Sequence, residues 1–129
     1  MRVFPRLLEP PPRTFFLFGP RGTGKSTWLR SKLPDALFVD LLRDDVLWGL
    51  ARSPGELTRR VEAEPRGRWI VLDEVQRLPA LLREVHDLIA RQGRRNEFAL
   101  SGSSARKLRR GEGDLLAGRA LALSFFPLT

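Results

Sequence analysis

Residues 19–26 read G-P-R-G-T-G-K-S and match the pattern G-x-x-x-x-G-K-[ST], whose chemistry is phosphate binding. Gly19, Gly22 and Gly24 let the backbone turn tightly, so that successive N–H groups can point at phosphate oxygens. Lys25 brings a compact positive charge to the β- and γ-phosphates, and the Ser26 hydroxyl is a ligand for Mg²⁺. The predicted phosphate-binding residues are Gly19, Pro20, Arg21, Gly22, Thr23, Gly24, Lys25, Ser26 and Thr27.

Two acidic residues, Asp73 and Glu74, directly follow the apolar residues 69–72 (W-I-V-L) and would add hydrolysis to phosphate binding. The apolar stretch predicts a buried strand, and in a doubly wound sheet its carboxyl end lies at the same edge as the phosphate loop. Asp73 can then hold Mg²⁺ beside Ser26, mainly through water, and Glu74 is placed to polarise the attacking water. We therefore predict Ser26 and Asp73 as metal ligands and Glu74 as the base.

The acidic pair also separates classes of phosphate-binding protein. Small kinases with this loop transfer phosphate to a bound substrate and do not need a glutamate after the aspartate. An enzyme in which water attacks the phosphate does need this glutamate. A GTPase would carry a guanine-recognising N-K-x-D segment, and the sequence has none. The residues therefore favour an ATPase with ATP and Mg²⁺ as its ligands.

Serines follow the predicted fourth strand, residues 98–100, in the segment S-G-S-S. This strand is expected next to the strand of the phosphate loop, so Ser101 or Ser103 would orient the attacking water together with Glu74. The alternative is a helix N-cap, in which Ser103 or Ser104 begins a helix over residues 105–110. The sequence does not choose between the two serines.

Arg119 lies just before the predicted fifth strand and is the remaining candidate for catalysis. An arginine there would project across a subunit boundary and stabilise transition-state charge at a neighbour's γ-phosphate, which implies a homo-oligomer. The alternative is a surface or structural arginine. The predicted catalytic set is Lys25, Glu74, Ser101 and Arg119.

Strands and helices alternate along the chain in the way that positions these residues. Apolar stretches predict strands at residues 14–18, 36–41, 69–72, 98–100 and 121–125. Helices are predicted at residues 25–33, 44–51, 53–64 and 79–92; the third begins at Ser53 as N-cap, with Glu56 closing a capping box. Because the strands are continuously apolar, the pattern indicates an α/β fold with a parallel sheet covered on both faces.

The composition fits a single domain of 129 residues, which we divide into an N-terminal arm (1–12) and a core (13–129). The absence of cysteine excludes disulfides and thiolate sites, and His86 is the only histidine. No apolar run approaches the length of a membrane span, and the N-terminus lacks an apolar signal segment, so we expect a cytoplasmic protein without membrane contact.

The net charge of +8 raises the question of nucleic-acid binding. Most of the basic residues are arginines spread along the chain, which weakens that interpretation. One cluster, Arg106, Lys107, Arg109 and Arg110, fits a solvated helix face or an intersubunit surface as well as DNA. Nucleic acid is therefore the less favoured partner.

Four ordered segments resemble the AAA-domain ATPases of bacteria and archaea, in the group whose P-loop core precedes a C-terminal domain of unclear function. The segments are G-P-R-G-T-G-K-S-T, V-L-D-E-V-Q-R-L-P, A-L-S-G-S-S-A-R-K-L and L-L-A-G-R-A-L-A-L. The resemblance implies a three-layer P-loop NTPase core of about five strands, ATP as the nucleotide, and the family roles of Lys25, Ser26, Asp73 and Glu74. A polar residue at Ser101 is similar to the sensor 1 position, and Gln76 and Arg77 follow the acidic pair as in those relatives.

Members of that group also have a helical lid and a C-terminal domain, which this sequence lacks. The chain ends at residues 127–129 without a closing helix, which is typical of a fragment of a longer protein. The alternative to an ATPase is thus a nucleotide-binding fragment or regulatory module with negligible catalysis.

Overall fold

Apolar stretches of four or five residues, each ended by a turn, form the strands that carry the molecule. The computed structural model describes residues 2–3, 9–20, 22, 24–103 and 120–125. Its strands are β1 (Arg2–Val3), β2 (Phe15–Phe18), β3 (Leu37–Asp40), β4 (Ile70–Asp73), β5 (Phe98–Gly102) and β6 (Leu121–Phe125). Its helices are α1 (Lys25–Lys32), α2 (Asp44–Arg52), α3 (Glu56–Glu62) and α4 (Ala80–Gln92), and a 3₁₀ turn spans Val75–Arg77.

The strands form one parallel sheet with the order β1-β6-β2-β5-β4-β3. The five predicted strands are all present, and β5 is paired with β2 as expected. The sequence pattern did not indicate β1, in which Arg2 and Val3 pair with Ser124 and Phe125 at the edge of the sheet. Two residues are too few to show an apolar period, so only the pairing with β6 identifies this strand.

Alternate residues of each central strand enter two separate apolar layers, because successive side chains of a strand point to opposite faces. Phe16, Leu72 and Leu100 pack on one face, under α2, α3 and α4. Leu17 and Val71 pack on the other face, where Leu29 of α1 covers them. Burial of both faces explains why the strands are apolar throughout, and it confirms the predicted α/β architecture.

Helix bounds follow the sequence pattern closely, with one correction. The capping box predicted at Ser53 and Glu56 is wrong: Gly55 is the N-cap residue of α3, and no side chain caps this end. The Ser53 carbonyl instead accepts a hydrogen bond from Glu56 N (2.9 Å), and the Glu56 carboxylate pairs with the Arg59 guanidinium. Pro54 and Gly55 form a turn, so the N-cap lies two residues later than predicted, at residue 55 instead of 53.

The parallel arrangement brings the carboxyl ends of β2, β4 and β5 to one edge of the sheet, where the candidate residues lie. β2 lies between β5 and β6, so the loop that follows it is flanked by a strand end on each side. No helix among the described residues combines the length and the apolar character needed to cross a bilayer.

Candidate nucleotide-binding site

The glycines of the loop between β2 and α1 serve different purposes. Gly22 and Gly24 have φ angles of +80° and +94°, a region that residues with a Cβ rarely adopt. Gly19 is needed for space instead, because a Cβ at this position would lie 2.4 Å from the Phe125 carbonyl oxygen at the end of β6. The Gly19 N–H donates to the Gly102 carbonyl oxygen (3.2 Å), so the first residue of the loop contacts both β5 and β6.

Lys25 is the first residue of α1, and its side chain is only 4% exposed. Its Nζ donates hydrogen bonds to the carbonyl oxygens of Gly19 (2.6 Å) and Pro20 (3.1 Å) and lies 3.7 Å from Glu74 Oε2. A buried ammonium group is stable only with such polar partners. The lysine is thereby held over the loop and directed toward the acidic residues.

Asp73 is the last residue of β4 and is buried beside Ser101 of β5. Leu72 pairs with Leu100 across the two strands, so the next residue of each strand brings Asp73 opposite Ser101. Ser101 Oγ donates to Asp73 Oδ1 (2.5 Å) and accepts a hydrogen bond from Glu74 N (2.9 Å). Ser101 therefore fixes the aspartate and the backbone that follows it.

Glu74 adopts an unusual backbone conformation for a residue with a side chain, with φ 62° and ψ 52°. This left-handed conformation costs about 1 kcal/mol or more and occurs preferentially at functional sites. Its buried carboxylate accepts hydrogen bonds at Oε1 from Gln76 Nε2 (2.6 Å) and Ser103 Oγ (2.7 Å). The turn thus brings the carboxylate back toward Lys25 instead of letting it continue along the strand.

A cavity of about 390 Å³ joins the loop to the acidic pair. Its lining residues are Gly22, Gly24, Lys25, Ser26, Thr27, Leu42, Asp73 and Glu74. Most of the residues predicted for phosphate and metal binding therefore face one space.

The donor set of this cavity fits Mg²⁺. Ser26 and Asp73 supply a hydroxyl and a carboxylate, the hard oxygen ligands that Mg²⁺ prefers. No group of three or more histidine, cysteine, aspartate or glutamate residues that could hold a metal occurs in the part of the chain that the structure describes. Mg²⁺ commonly uses one or two carboxylates together with water and phosphate oxygens.

The structure separates the two candidate serines. Ser101 contacts Asp73 and the backbone of Glu74, whereas Ser103, two residues further along, contacts the Glu74 carboxylate. The other predicted residues Arg21, Thr23 and Arg119 lie outside the described residues, as do Ser104 and the basic residues Arg106, Lys107, Arg109 and Arg110.

Two residues at the site, Gln76 and Leu42, have no predicted role in the sequence patterns. Gln76 binds the Glu74 carboxylate, and Leu42 lines the cavity from the turn after β3. The sequence feature that could have indicated a role for Gln76 is its position two residues after Glu74, the second residue of the acidic pair. Leu42 had no comparable signal, because it reaches the cavity only through the pairing of β3 with β4.

Comparison with known proteins gives the family. The family model described as an AAA domain matches residues 11–129. This chain belongs to the AAA domain family.

One solved structure has a similar fold. The AAA chain is similar to the crystal structure of Cdc6p from Pyrobaculum aerophilum, with a TM-score of 0.57 and 17% sequence identity. The match covers 94% of this chain and 39% of the Cdc6p chain, and at this identity the likeness concerns the fold alone. No curated protein matches the chain. Family and fold together make the molecule a nucleotide-binding module of the P-loop, AAA type.

Proposed function

We propose that this AAA domain hydrolyses ATP to ADP and phosphate in a Mg²⁺-dependent reaction. The observation that carries the proposal is the 3.7 Å separation of Lys25 Nζ and Glu74 Oε2 at the cavity lined by Ser26 and Asp73. A lysine of the phosphate loop and a buried carboxylate at this separation support the proposal that phosphate recognition and water activation occur within one site. A module that only binds nucleotide would not need the strained, hydrogen-bonded glutamate.

In this proposal each side chain has one task. The N–H groups of the loop and Lys25 bind the phosphate oxygens, and Ser26 and Asp73 hold Mg²⁺. The metal neutralises charge on the phosphates when it is bound. Ser101 keeps Asp73 in place, and Glu74 accepts a proton from the attacking water.

Replacement of Glu74 by glutamine tests the base. The amide has the same shape but cannot accept the proton of water, so Glu74→Gln is expected to lower the turnover number by about 10²- to 10⁴-fold. ATP affinity should stay within a few-fold of the wild type, because the loop and Lys25 are unchanged. Phosphate release at saturating ATP and titration of a fluorescent ATP analogue measure the two quantities.

A surface glutamate supplies the control for this experiment. Glu62 lies on α3 with a side chain 47% exposed and does not line the cavity, so Glu62→Gln should leave turnover and affinity unchanged. Wild-type turnover by Glu74→Gln would refute the assignment of the base. Saturable ATP binding by the wild-type chain without phosphate release would instead favour the alternative, a nucleotide-binding module with negligible catalysis.

The predictions for Arg119 in a homo-oligomer and for nucleic-acid binding by Arg106, Lys107, Arg109 and Arg110 rest on the sequence. A gel-shift titration over a range of salt concentrations tests the second, since phosphate contacts weaken as salt rises.

A further inference from the structure

We propose that Gln76, together with Ser103, is the positioning residue of the Glu74 carboxylate, so that turnover of bound ATP depends on the Gln76 amide. The proposal rests on the hydrolysis proposed above. It adds a residue that touches neither phosphate nor metal and acts only through Glu74.

The contacts at Glu74 Oε1 carry the proposal. Gln76 Nε2 and Ser103 Oγ both donate to this one oxygen, at 2.6 and 2.7 Å. Two short hydrogen bonds to a carboxylate oxygen are charge-assisted and therefore stronger than bonds between neutral groups. They fix the rotation of the carboxylate, and the second oxygen, Oε2, is the one that lies 3.7 Å from Lys25 Nζ.

Gln76 and Ser103 are also hydrogen-bonded to each other. Ser103 N donates to Gln76 Oε1 (3.3 Å), and Gln76 Nε2 lies 3.5 Å from Ser103 Oγ. The Gln76 amide oxygen thus accepts a hydrogen bond from Ser103, the residue after β5, and the amide nitrogen donates one to Glu74. A glutamine is suited to this bridge because one planar group presents a donor and an acceptor side by side.

The backbone that carries Gln76 is itself anchored. Arg77 N donates to the Glu74 carbonyl oxygen (3.0 Å) in the 3₁₀ turn, and the Arg77 guanidinium donates to the Leu41 carbonyl oxygen (2.9 Å). The amide of Gln76 therefore approaches Glu74 from a fixed turn. Since attack by water requires the base in one orientation, a carboxylate held in this way is prepared before the nucleotide binds.

Two substitutions separate hydrogen bonding from packing. Gln76→Ala removes the amide, and Gln76→Glu keeps its shape but replaces the donor by a second acidic group. We expect the turnover number to fall by about 10- to 100-fold in both variants, with the dissociation constant for ATP changed less than about threefold. A residue that only stabilises the fold would lower the melting temperature and would not separate turnover from affinity.

Gln92 provides the matched control, since it is the other glutamine of the sequence and its Nε2 also donates to a glutamate, Glu62 (3.2 Å). That pair lies on the exposed faces of α3 and α4, so Gln92→Ala should leave turnover unchanged. A double-mutant cycle completes the test: in the Glu74→Gln background, Gln76→Ala should have almost no further effect on turnover, because it acts through the carboxylate.

A readout that needs no turnover is the NMR signal of the Gln76 side-chain amide in the chain of 14.7 kDa. Glu74→Ala should shift this signal and speed its proton exchange, and should leave the Gln92 amide unchanged. An unaffected Gln76 signal would overturn the proposal, and so would Gln76→Ala turning over ATP at the wild-type rate or faster. Absence of turnover in the wild-type chain is a different outcome, because it refutes the proposed hydrolysis and with it the reaction that Gln76 serves.

Discussion

The two edges of the sheet use buried polar side chains for different purposes. Among the residues that the structure describes, the buried polar or charged side chains are Thr14, Lys25, Asp73, Glu74, Asn96 and Ser101. Thr14 and Asn96 lie at the amino ends of strands, and the other four lie at or beyond the carboxyl ends of β2, β4 and β5. Both edges also have a cavity of similar size, about 410 Å³ at the amino edge and 390 Å³ at the carboxyl edge.

At the amino edge, the buried polar side chains hold neighbouring elements together through backbone groups and one adjacent side chain each. Asn96 Oδ1 accepts from the Arg95 guanidinium, and Thr14 Oγ1 donates to Glu97 Oε1. Asn96 Nδ2 donates to the carbonyl oxygens of Pro65 (3.2 Å) and Arg68 (2.8 Å). Thr14 Oγ1 accepts a hydrogen bond from Phe98 N (3.0 Å) and joins β2 to β5. The cavity there lies between the end of α1 and the start of β4, and acidic and hydroxyl groups do not converge on it as they do at the carboxyl edge.

At the carboxyl edge, side chains bind one another around a space that a ligand could enter. Ser101 binds Asp73, Gln76 and Ser103 bind Glu74, and Lys25 lies beside Glu74. The size of a cavity therefore does not distinguish the two edges. The pairing of acidic, hydroxyl and ammonium groups does, and it predicts different consequences of substitution at each edge.

The largest difference expected between the two edges is in nucleotide binding, and two lysines at opposite ends of α1 test it. Lys25→Ala removes a buried charge from the carboxyl edge and should cost about 2–5 kcal/mol of ATP binding, a loss of about 30-fold or more. Lys32→Ala at the amino edge should leave the affinity unchanged, because Lys32 lines the other cavity. Calorimetric titration with ATP measures both. Equal losses in the two variants would contradict the assignment of the carboxyl edge as the binding site.

A smaller effect is expected where the loop meets β6. Gly19→Ala places a Cβ 2.4 Å from the Phe125 carbonyl oxygen, so loop or strand must shift, at a cost of about 1–3 kcal/mol in the free energy of unfolding. ATP affinity should fall as well, because the displaced atoms belong to the binding loop. Urea unfolding and the same titration measure the two effects.

Gly49 is the control for this substitution. It lies in α2, and a Cβ added there would meet no atom of another element within 4 Å, so Gly49→Ala should stabilise the chain by about 0.5–1 kcal/mol. Unchanged stability and affinity in Gly19→Ala would show that the close contact with β6 is not needed.

The smallest effect is on stability alone, at the amino edge. Asn96→Ala removes the buried amide that donates to the carbonyl oxygens of Pro65 and Arg68. Among the described residues only the Pro65 oxygen keeps another donor, Arg68 N (3.1 Å), so the change should cost about 1–2 kcal/mol in the free energy of unfolding. Below the melting transition, ATP affinity and turnover should equal those of the wild type. A selective loss of turnover would break the distinction between the two edges.

Much of the fold could be predicted because its signals are local. The bounds of the strand at residues 121–125 and the end of α4 at Gln92 are confirmed. An apolar run specifies a strand, and the C-cap glycine Gly93 ends a helix, through interactions within a few residues. The phosphate loop could be predicted for the same reason. Its helix starts at Lys25, as the pattern indicates.

Interactions between distant segments could not be predicted in the same way. The choice between Ser101 and Ser103 depends on the register of β5 against β4, and a shift of one residue would turn both side chains away from Asp73 and Glu74. The need for glycine at position 19 likewise depends on β6, which follows about a hundred residues later in the chain.

By itself the sequence determined the phosphate loop, the acidic pair and the order of strands and helices, because each depends on residue types over a short span. The tertiary structure decided which polar group serves which partner: Ser101 for Asp73, and Gln76 with Ser103 for Glu74. The physical reason is that hydrogen bonds need atoms within about 3 Å. Only the packed parallel sheet brings Ser101 and Ser103 to that distance from Asp73 and Glu74, which lie nearly thirty positions earlier in the chain.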